Sequence, residues 1–349
     1  MTPDSKRIWI DLGNSPHVPF FLALAREFER RGHLILWTAR DYAQTVPLAE
    51  KANLPIKIFG THGGKSLLQK TWKFTERVGR LLNWVRGEKI DLVVSHNSHE
   101  PLAVARLLGI KSVNLMDYEH HPLNNFSFRM ATRVIVPESF PDEFVKKFGA
   151  SKKTFKFTGI KEDVYLADFM PDLKFQDELK SLGISPENIL VVVRPHAPEA
   201  LYHRQFANEI LDHLLDKFAA NPKVKIVLLP RKDYQGAEFK KRHSQPNIII
   251  PEKVLDGANL LFSSDLVVSG GGTMNREATA LGVPVITIFS GKPASIDEML
   301  IAQGRMSKIE TVEDLDKIKL VKKTSTNLQR ATQTKAKVAD LILDVLRKF

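Results

Sequence analysis

The sequence contains no cysteine among its 349 residues. This absence excludes disulfide bonds, catalysis by a thiolate and metal sites with cysteine ligands. Long apolar runs are absent too, since none approaches the roughly 20 residues that span a bilayer. The first residues also lack the apolar core of a signal peptide. We therefore expect a cytoplasmic protein.

Two nucleotide-binding signatures are missing as well. The turn Leu12-Gly13-Asn14-Ser15-Pro16 lacks the Gly-x-Gly-x-x-Gly pattern of dinucleotide-binding proteins, which disfavours NAD. The segment Gly60–Ser66 ends in Gly-Lys-Ser like a P-loop, but Phe59 stands where that loop needs its first glycine. We predict instead a loop that touches phosphate through Lys65, and we expect no bound cofactor.

The charge balance is strongly basic. The chain has 51 lysines and arginines against 40 aspartates and glutamates, a net charge of +11. Such a balance favours an anionic partner or substrate. Nucleic acid is disfavoured because the basic residues are scattered and no zinc-finger or RNA-recognition motif occurs. A non-enzymatic module that binds a polyanion or nucleic acid nevertheless stays open as an alternative.

Short apolar segments alternate with helical segments along most of the chain, which is typical of βαβ units and parallel sheets. The predicted strands cover residues 7–12, 34–38, 56–59, 91–95, 111–114, 133–136, 189–193, 225–229, 247–250, 266–268 and 283–288. Glycines and prolines in 157–186 interrupt this rhythm, and we interpret that region as a connection between domains. The pattern predicts an α/β protein with two tandem Rossmann-like, doubly wound domains that face a cleft. We place them at 1–160 and 161–349, with the last helix packing back on the first domain.

A glycine run is the most informative motif. Ser269-Gly270-Gly271-Gly272-Thr273 follows an apolar strand and precedes a predicted helix. Glycines let the backbone approach a ligand closely, and the free N–H groups and dipole of the helix attract phosphate. Glu277 lies about one turn into the helix, where its carboxylate can accept hydrogen bonds from ribose. We expect Arg194, Arg231 or Lys292 to supply a cation for the diphosphate.

Polar residues also follow the other predicted strands, whose carboxyl ends share one edge of a parallel sheet. The candidates are Asn14, Ser15, His17, His62, Lys65, His96, His99, Asp117, Glu119, His120, Arg194 and His196. Titratable groups at such an edge suit acid/base chemistry on a bound anion. We predict catalytic roles for His17, Asp117, Glu119 and His196.

A metal site is the alternative interpretation of some of these residues. Zn²⁺ and Mn²⁺ bind histidine and carboxylate ligands, which occur here at His96, His99, Asp117, Glu119, His120 and His121. Helical His-Glu-x-x-His spacing is missing from this segment. We therefore expect no bound metal.

The long predicted helix over residues 66–86 is basic and amphipathic. It carries Lys70, Lys73, Arg77, Arg80 and Arg86 together with Trp72 and Trp84. Such a helix can rest on an anionic lipid surface. The favoured interpretation is a helix packed on the core with a solvated basic face.

The turn Gly13-Asn14-Ser15-Pro16-His17 and the late glycine loop resemble the GT-B superfamily, and the likeness covers essentially the whole chain. It is most similar to a mainly archaeal and bacterial branch that opens with Trp9–His17. Better-known relatives of this branch are UDP-N-acetylglucosamine 2-epimerase and the N-acetylglucosaminyl transferase of peptidoglycan synthesis. The resemblance implies a nucleotide-sugar donor, UDP-linked in preference, held mainly by the carboxy-terminal domain. Gly270–Thr273 would contact its diphosphate and Glu277 its ribose.

Three positions can be compared with the epimerase family. Arg194 and His196 match its strand-end His-Arg motif, with the order Arg-Pro-His here. The family's Asp after the fourth strand is His96-Asn97 in this chain, and its Glu after the fifth strand corresponds to Asp117 or Glu119. Epimerisation needs that acid/base set, so these departures count against it. We therefore predict a glycosyltransferase that moves a sugar from a nucleotide-diphosphate donor to an unknown acceptor. A nucleotide-sugar epimerase or hydrolase is the alternative enzyme.

Overall fold

The computed structural model describes residues 5–61, 67–196, 204–324 and 331–347. The chain divides into two compact units. The first comprises residues 1–167, 294–296 and 331–349, and the second comprises residues 168–293 and 297–330. Each unit is built around its own parallel β-sheet.

In the described residues, the first unit contains a sheet of seven strands. The strands are β1 (Arg7–Leu12), β2 (Leu34–Asp41), β3 (Ile56–Thr61), β4 (Leu92–His96), β5 (Lys111–Leu115), β6 (Arg133–Pro137) and β7 (Thr154–Phe157). The helices of this unit are α1 (His17–Arg30), α2 (Thr45–Lys51), α3 (Leu67–Val85), α4 (His99–Leu108), α5 (Asn124–Met130), α6 (Asp142–Lys147) and α7 (Lys161–Leu166). The spatial order β3-β2-β1-β4-β5-β6-β7 places β4 beside β1, where the winding direction of the sheet reverses.

Helices cover both faces of this sheet, which explains why its strands are nearly continuous apolar runs. Successive side chains of a strand point to opposite faces. Ile8 and Ile10 pack in one core with Phe21 of α1. Trp9 points to the other face and packs there with Leu81 of α3.

In the described residues, the second unit contains a sheet of six strands. They are β8 (Ile189–Arg194), β9 (Val224–Leu228), β10 (Ile248–Ile249), β11 (Leu266–Ser269), β12 (Val285–Thr287) and β13 (Ser307–Lys308). The order β10-β9-β8-β11-β12-β13 repeats the winding of the first sheet, with its reversal between β8 and β11. The helices of this part of the chain are α8 (Phe175–Ser181), α9 (Arg204–Ala219), α10 (Asp233–Arg242), α11 (Gly257–Ser263), α12 (Thr273–Ala280) and α13 (Ser295–Ala302).

The last helix, α14 (Thr332–Leu343), belongs to the first unit. Arg133 donates from Nη1 to the backbone oxygen of Leu341 at 2.7 Å. Lys111 donates from Nζ to the backbone oxygen of Val345, also at 2.7 Å. Arg133 therefore satisfies a carbonyl group in the last turn of this helix, where the dipole is negative, and Lys111 binds one just after it.

The predicted α/β class with two doubly wound parallel sheets is confirmed. One region differs from the prediction: residues 157–186 are not only a connection, because β7 ends at Phe157 and α7 follows it. Val164 of α7 is fully buried in the core of the first unit. The strand before it is only four residues long, so its alternation is a weak signal in the sequence. No helix in the described ranges is both long and apolar enough to cross a membrane.

Candidate functional site

Two sheet edges carry the predicted site residues, one in each unit. In a doubly wound sheet, ligands bind beyond the carboxyl ends of the strands where the order reverses. In the first unit this point lies between β1 and β4, followed by Gly13–His17 and Asn97–Glu100. In the second unit it lies between β8 and β11, followed by Pro195–His196 and Gly270–Gly272.

The two loops of the first unit approach each other closely. A Cβ atom placed on Gly13 would clash with Oγ of Ser98, so a larger residue at this position would require the Ser98 side chain to move. Asn97 adopts a left-handed conformation with a φ of 51°, which is uncommon for a residue with a side chain. Such strained positions cluster at functional sites.

His17 is a neutral imidazole in this site. The backbone N–H of Gly13 donates to Nδ1 of His17 at 3.2 Å, so the ring proton lies on Nε2. Burial lowers the pKa of His17 well below its usual value, and the charges of His96 and Lys161 act in the same direction. His17 therefore presents a hydrogen-bond donor at Nε2 without carrying a positive charge.

A series of polar and charged groups continues from His17. The rings of His17 and His96 have their centroids 5.0 Å apart. His96 Nε2 lies 3.3 Å from Oδ1 of Asp117, and the other Asp117 oxygen accepts a hydrogen bond from Lys161 Nζ at 2.8 Å. Asp117 and Lys161 are both buried. A carboxylate on one ring nitrogen orients a histidine and leaves the other nitrogen of the neutral ring as the basic atom.

The loop after β5 holds the other predicted carboxylate. Glu119 is buried, and its Oε1 accepts hydrogen bonds from the backbone N–H of Ser295 at 2.7 Å and from the Ser295 hydroxyl. His120 Nε2 lies 3.6 Å from the same oxygen. Asn124 donates to the carbonyl groups of Tyr118 and Glu119, which fixes the loop. Glu119 is thus already engaged by protein donors.

His99 forms a separate cluster at the start of α4. Its Nδ1 is hydrogen-bonded to the Ser127 hydroxyl, and its ring stacks on His121 with centroids 5.3 Å apart. Burial, helped by the charges of His121 and Arg40, lowers the pKa of His99 to about 3. The ring is therefore neutral at pH 7 and acts as a packed, polar wall of the site.

A buried ion-pair network lies under these loops. Arg77 of α3 is only 2% exposed, and it donates from Nη2 to Asp11 Oδ1 at 2.7 Å and from Nη1 to Glu100 Oε2 at 3.2 Å. Its Nε donates to the backbone oxygen of Phe59 at 2.8 Å. Arg40 contacts the other oxygen of Glu100. The network ties β1, α3 and the first turn of α4 together.

This network corrects one expectation about the long helix. Arg77 was predicted on a solvated basic face, but a buried guanidinium with two carboxylate partners is part of the interior. Trp84 packs edge-on against Trp9 with ring centroids 5.4 Å apart. Trp72, in contrast, is 72% exposed. Contact of α3 with lipid stays a prediction.

In the second unit the glycine loop is shaped by its neighbours. A Cβ on Gly270 would lie 2.8 Å from backbone atoms of His196, and one on Gly271 would lie 2.7 Å from the Phe289 ring. Gly271 and Gly272 have φ values of 98° and 93°, a region that favours glycine. Gly272 is exposed and precedes Thr273, the first residue of α12. Its backbone is therefore open to a ligand at the amino end of this helix.

Two half-buried arginines lie beside this loop. Arg231 donates from Nε to the backbone oxygen of Pro195 at 3.2 Å, and its Nη2 lies 3.4 Å from the backbone oxygen of Gly271. Burial and the charge of Arg194 lower the pKa of Arg231 to about 10. Burial also lowers the pKa of Arg194, and the charge of the Glu277 carboxylate partly offsets this decrease. Two neighbouring cations without a carboxylate on Arg231, among the described residues, form a site that an anion would stabilise.

His196 takes a fixed position in the same loop region. Its Nε2–H donates to the backbone oxygen of Ile288 at 2.8 Å, and its own backbone oxygen accepts from Gln235 Nε2 at 3.1 Å. Gln235 also accepts the backbone N–H of Arg231 at 2.8 Å. The ring thus holds the ends of β8 and β12 together, and its catalytic role stays a prediction.

The remaining predicted residues are placed as follows. Asn14 is exposed and accepts the backbone N–H of Ser15. Ser15 Oγ accepts the backbone N–H of Gln44 at 3.0 Å, so this side chain braces the loop before α2. His62 and Lys65 lie outside the described residues. In the described part of the chain, no three histidine or carboxylate side chains come together in a group that could hold a metal ion.

Several residues of the site are not among those predicted from the sequence. Lys161 comes four residues after the end of β7, and the alternating segment Thr154–Phe157 is the signal that would have placed it after a strand. Arg40 was not predicted because the expected strand ended at residue 38, whereas β2 continues to Asp41. Arg77 lies within a helical pattern of basic residues, and nothing in that pattern distinguishes it from its exposed neighbours.

The chain belongs to the family described as protein of unknown function (DUF354), which matches residues 6–349. It is 31% identical over 317 residues to an uncharacterized protein of Methanocaldococcus jannaschii, covering 88% of this chain and 89% of that protein. Its fold resembles the UDP-GlcNAc 2-epimerase of the same organism, with a TM-score of 0.72 and 14% identity over 97% of this chain and 99% of the other. It also resembles the glycotransferase of kitacinnamycin, with a TM-score of 0.63 and 15% identity over 99% and 100% of the two chains. The predicted GT-B-like fold is thereby confirmed.

Proposed function

We propose that this protein is a nucleotide-sugar-dependent glycosyltransferase that moves a sugar from a nucleotide-diphosphate donor to an acceptor hydroxyl. The observation that carries the proposal is the glycine loop Gly270–Gly272 beside Arg194 and Arg231, at the point where the second sheet reverses its order. The proteins of similar fold include one that is named for UDP-GlcNAc and one that is named as a transferase. A UDP-linked donor is therefore favoured.

The donor site follows from electrostatics. A diphosphate carries the negative charge that the two arginines and the amino end of α12 attract. Because these groups are held in place before the reaction, they also stabilise the charge that develops on the diphosphate as it leaves. Glu277 lies one turn into α12 and is proposed to accept hydrogen bonds from the ribose hydroxyls.

The first unit is proposed to handle the proton of the acceptor. The Asp117 carboxylate lies 3.3 Å from Nε2 of His96 and favours a proton on that nitrogen, so Nδ1 is proposed as the basic atom of the neutral ring. His17 presents Nε2–H as a neutral hydrogen-bond donor, as its contact with Gly13 requires. In this scheme the His96–Asp117 pair accepts the proton, and His17 orients the acceptor oxygen.

Ligand-induced thermal stabilisation tests the donor site. The purified protein is heated with UDP-, GDP-, dTDP-, CMP- and ADP-linked sugars, since a ligand that binds only the folded state raises Tm by an amount that grows with the ratio of its concentration to Kd. We expect a selective shift that Arg231→Met and Glu277→Ala abolish. Arg305→Met is the matched control, because Arg305 is exposed in the same unit. A wild-type protein that no nucleotide sugar stabilises, or an Arg231→Met protein that responds like the wild type, would refute the donor site.

An epimerase or hydrolase is the second candidate, favoured by the fold shared with UDP-GlcNAc 2-epimerase. Epimerisation abstracts and returns a proton at carbon, so the recovered sugar acquires deuterium in D₂O without any acceptor. A transferase leaves the donor unlabelled under these conditions. Mass spectrometry of the recovered donor distinguishes the two reactions, and release of free sugar identifies a hydrolase.

A further inference from the structure

We propose that Lys161 is a positioning residue for the proton-accepting histidine, and this inference rests on the proposed function. Lys161 opens α7 and reaches across to the loop after β5, where its Nζ lies 2.8 Å from Asp117 Oδ2. The opposite oxygen of Asp117 faces His96 Nε2 at 3.3 Å. The ammonium group thus fixes the carboxylate that orients the ring of His96.

Burial makes this contact consequential. Asp117, Lys161 and the rings of His17 and His96 are all more than nine-tenths buried, so water screens their charges poorly. An isolated carboxylate among these groups would be costly, and the Lys161 ammonium group on one oxygen offsets part of that cost. Lys161 also lies 3.7 Å from Glu162 Oε1, on the next residue of α7. One ammonium group therefore faces two buried carboxyl groups.

The pair also influences the charge of His17. The charged groups that act on this ring are His96, Lys161, Asp117 and Arg40. Asp117 raises the pKa of His17, whereas Lys161 lowers it. Burial is the main reason that the ring is neutral, and Lys161 opposes the influence of Asp117. Without the ammonium group the influence of Asp117 would be unopposed, and the pKa of His17 would rise.

The test measures histidine protonation in the full-length protein without any ligand. Long-range ¹H–¹⁵N spectra report the tautomer and charge of each ring as a function of pH, and His17→Gln and His96→Gln variants assign the two signals. In the wild type we expect His17 to be neutral at pH 7, with its proton on Nε2, and to titrate well below the usual range of a histidine. In Lys161→Met we expect the His17 titration midpoint to rise by about one pH unit, as for a lost like charge at close range.

Three further variants separate positioning from a purely structural role. Lys161→Arg keeps the positive charge and should restore the wild-type titration. Lys153→Met is the matched control, because Lys153 is a lysine of the same unit that donates to backbone oxygens of Arg129 and Ala131. Its His17 titration should be unchanged. Asp117→Asn keeps Lys161 and should move the His17 midpoint in the opposite direction, which tests the inference even where Lys161→Met fails to fold.

A His17 signal that titrates identically in the wild type, Lys161→Met and Asp117→Asn would overturn the inference. Because no donor is present, this outcome is distinct from a failure of the proposed function, which appears as missing stabilisation by nucleotide sugars. Retained donor binding with an unchanged His17 titration would refute the positioning role of Lys161 and leave the proposed function standing. A shifted His17 titration in a protein that binds no donor would support this role of Lys161 and refute the transferase function.

Discussion

Replacing Arg77 by methionine should destabilise the first unit strongly. Methionine replaces the aliphatic part of the arginine side chain but lacks the guanidinium, which donates to Asp11, Glu100 and the backbone oxygen of Phe59. Asp11 is 0% exposed and Glu100 is 4% exposed, so water cannot replace the lost partner. Both carboxylates would be left buried with one cation fewer.

The expected magnitude follows from this burial. Removing one partner of a buried ion pair costs about 3–5 kcal/mol. Asp11 keeps the hydrogen bond from the Thr38 hydroxyl, and Glu100 keeps its contact with Arg40. We therefore expect the lower end of the range, about 3 kcal/mol. Arg80→Met is the matched control on the same helix, since Arg80 is 60% exposed in its pair with Glu76 and such a pair contributes at most about 0.5 kcal/mol.

Tryptophan fluorescence during urea unfolding measures this effect. The four tryptophans lie at positions 9, 37, 72 and 84, all within the first unit. Their signal therefore reports the unfolding of this unit separately from the other. With a urea dependence of about 1–3 kcal/mol per molar, the midpoint of Arg77→Met should fall by about 1 M or more. The reasoning is refuted if Arg77→Met and Arg80→Met unfold at the same urea concentration.

The remaining predictions concern the same unit. As the pH is lowered from 6.5 to 3, His99 alone should reduce the stability of the wild type by about 1.4 kcal/mol per pH unit, because the unfolded ring binds a proton that the folded ring, with its pKa of about 3, excludes. Urea unfolding at several pH values should show a weaker dependence of stability on pH for His99→Asn. An equal dependence in the two proteins would contradict this prediction. Gly13→Ala should lower Tm because the added Cβ would clash with Oγ of Ser98, and adding Ser98→Ala should restore most of the loss. An unchanged Tm in Gly13→Ala would contradict the close approach of the two loops. Arg133→Met should cost about 1–3 kcal/mol by leaving the buried oxygen of Leu341 without its donor, and limited proteolysis should then cut the last helix first; an unchanged cleavage pattern would show that the bond does not hold it.

Local patterns in the sequence were sufficient for the architecture. Alternating apolar strands and helices predict two doubly wound sheets, because both faces of a parallel sheet are covered by helices and its central strands must therefore be apolar. The glycine run Gly270–Gly272 was likewise predictable, since positive φ values and close backbone approach leave few alternatives to glycine. The residues after each strand were also predictable, because parallel strands all end at the same edge.

The sequence alone could not assign roles within that edge. Asp117 and Glu119 are two residues apart in one loop, yet Asp117 pairs with Lys161 and His96 while Glu119 accepts from Ser295. These partners are contributed by different elements of the fold. Only the order of strands and the packing of α7 determine which carboxylate meets the histidine pair.

The sequence by itself determined the fold class, the glycine loop and the set of polar residues after the strands, because each depends on residues close together in the chain. Tertiary structure alone decided that Arg77 is an interior cation and that Lys161 faces Asp117. Arg77 is 66 residues from Asp11, and Lys161 is 44 residues from Asp117. A periodic pattern treats every arginine of a helix face alike, since it contains no information about distant carboxylates. Burial next to such a carboxylate is what turns a surface charge into part of the site.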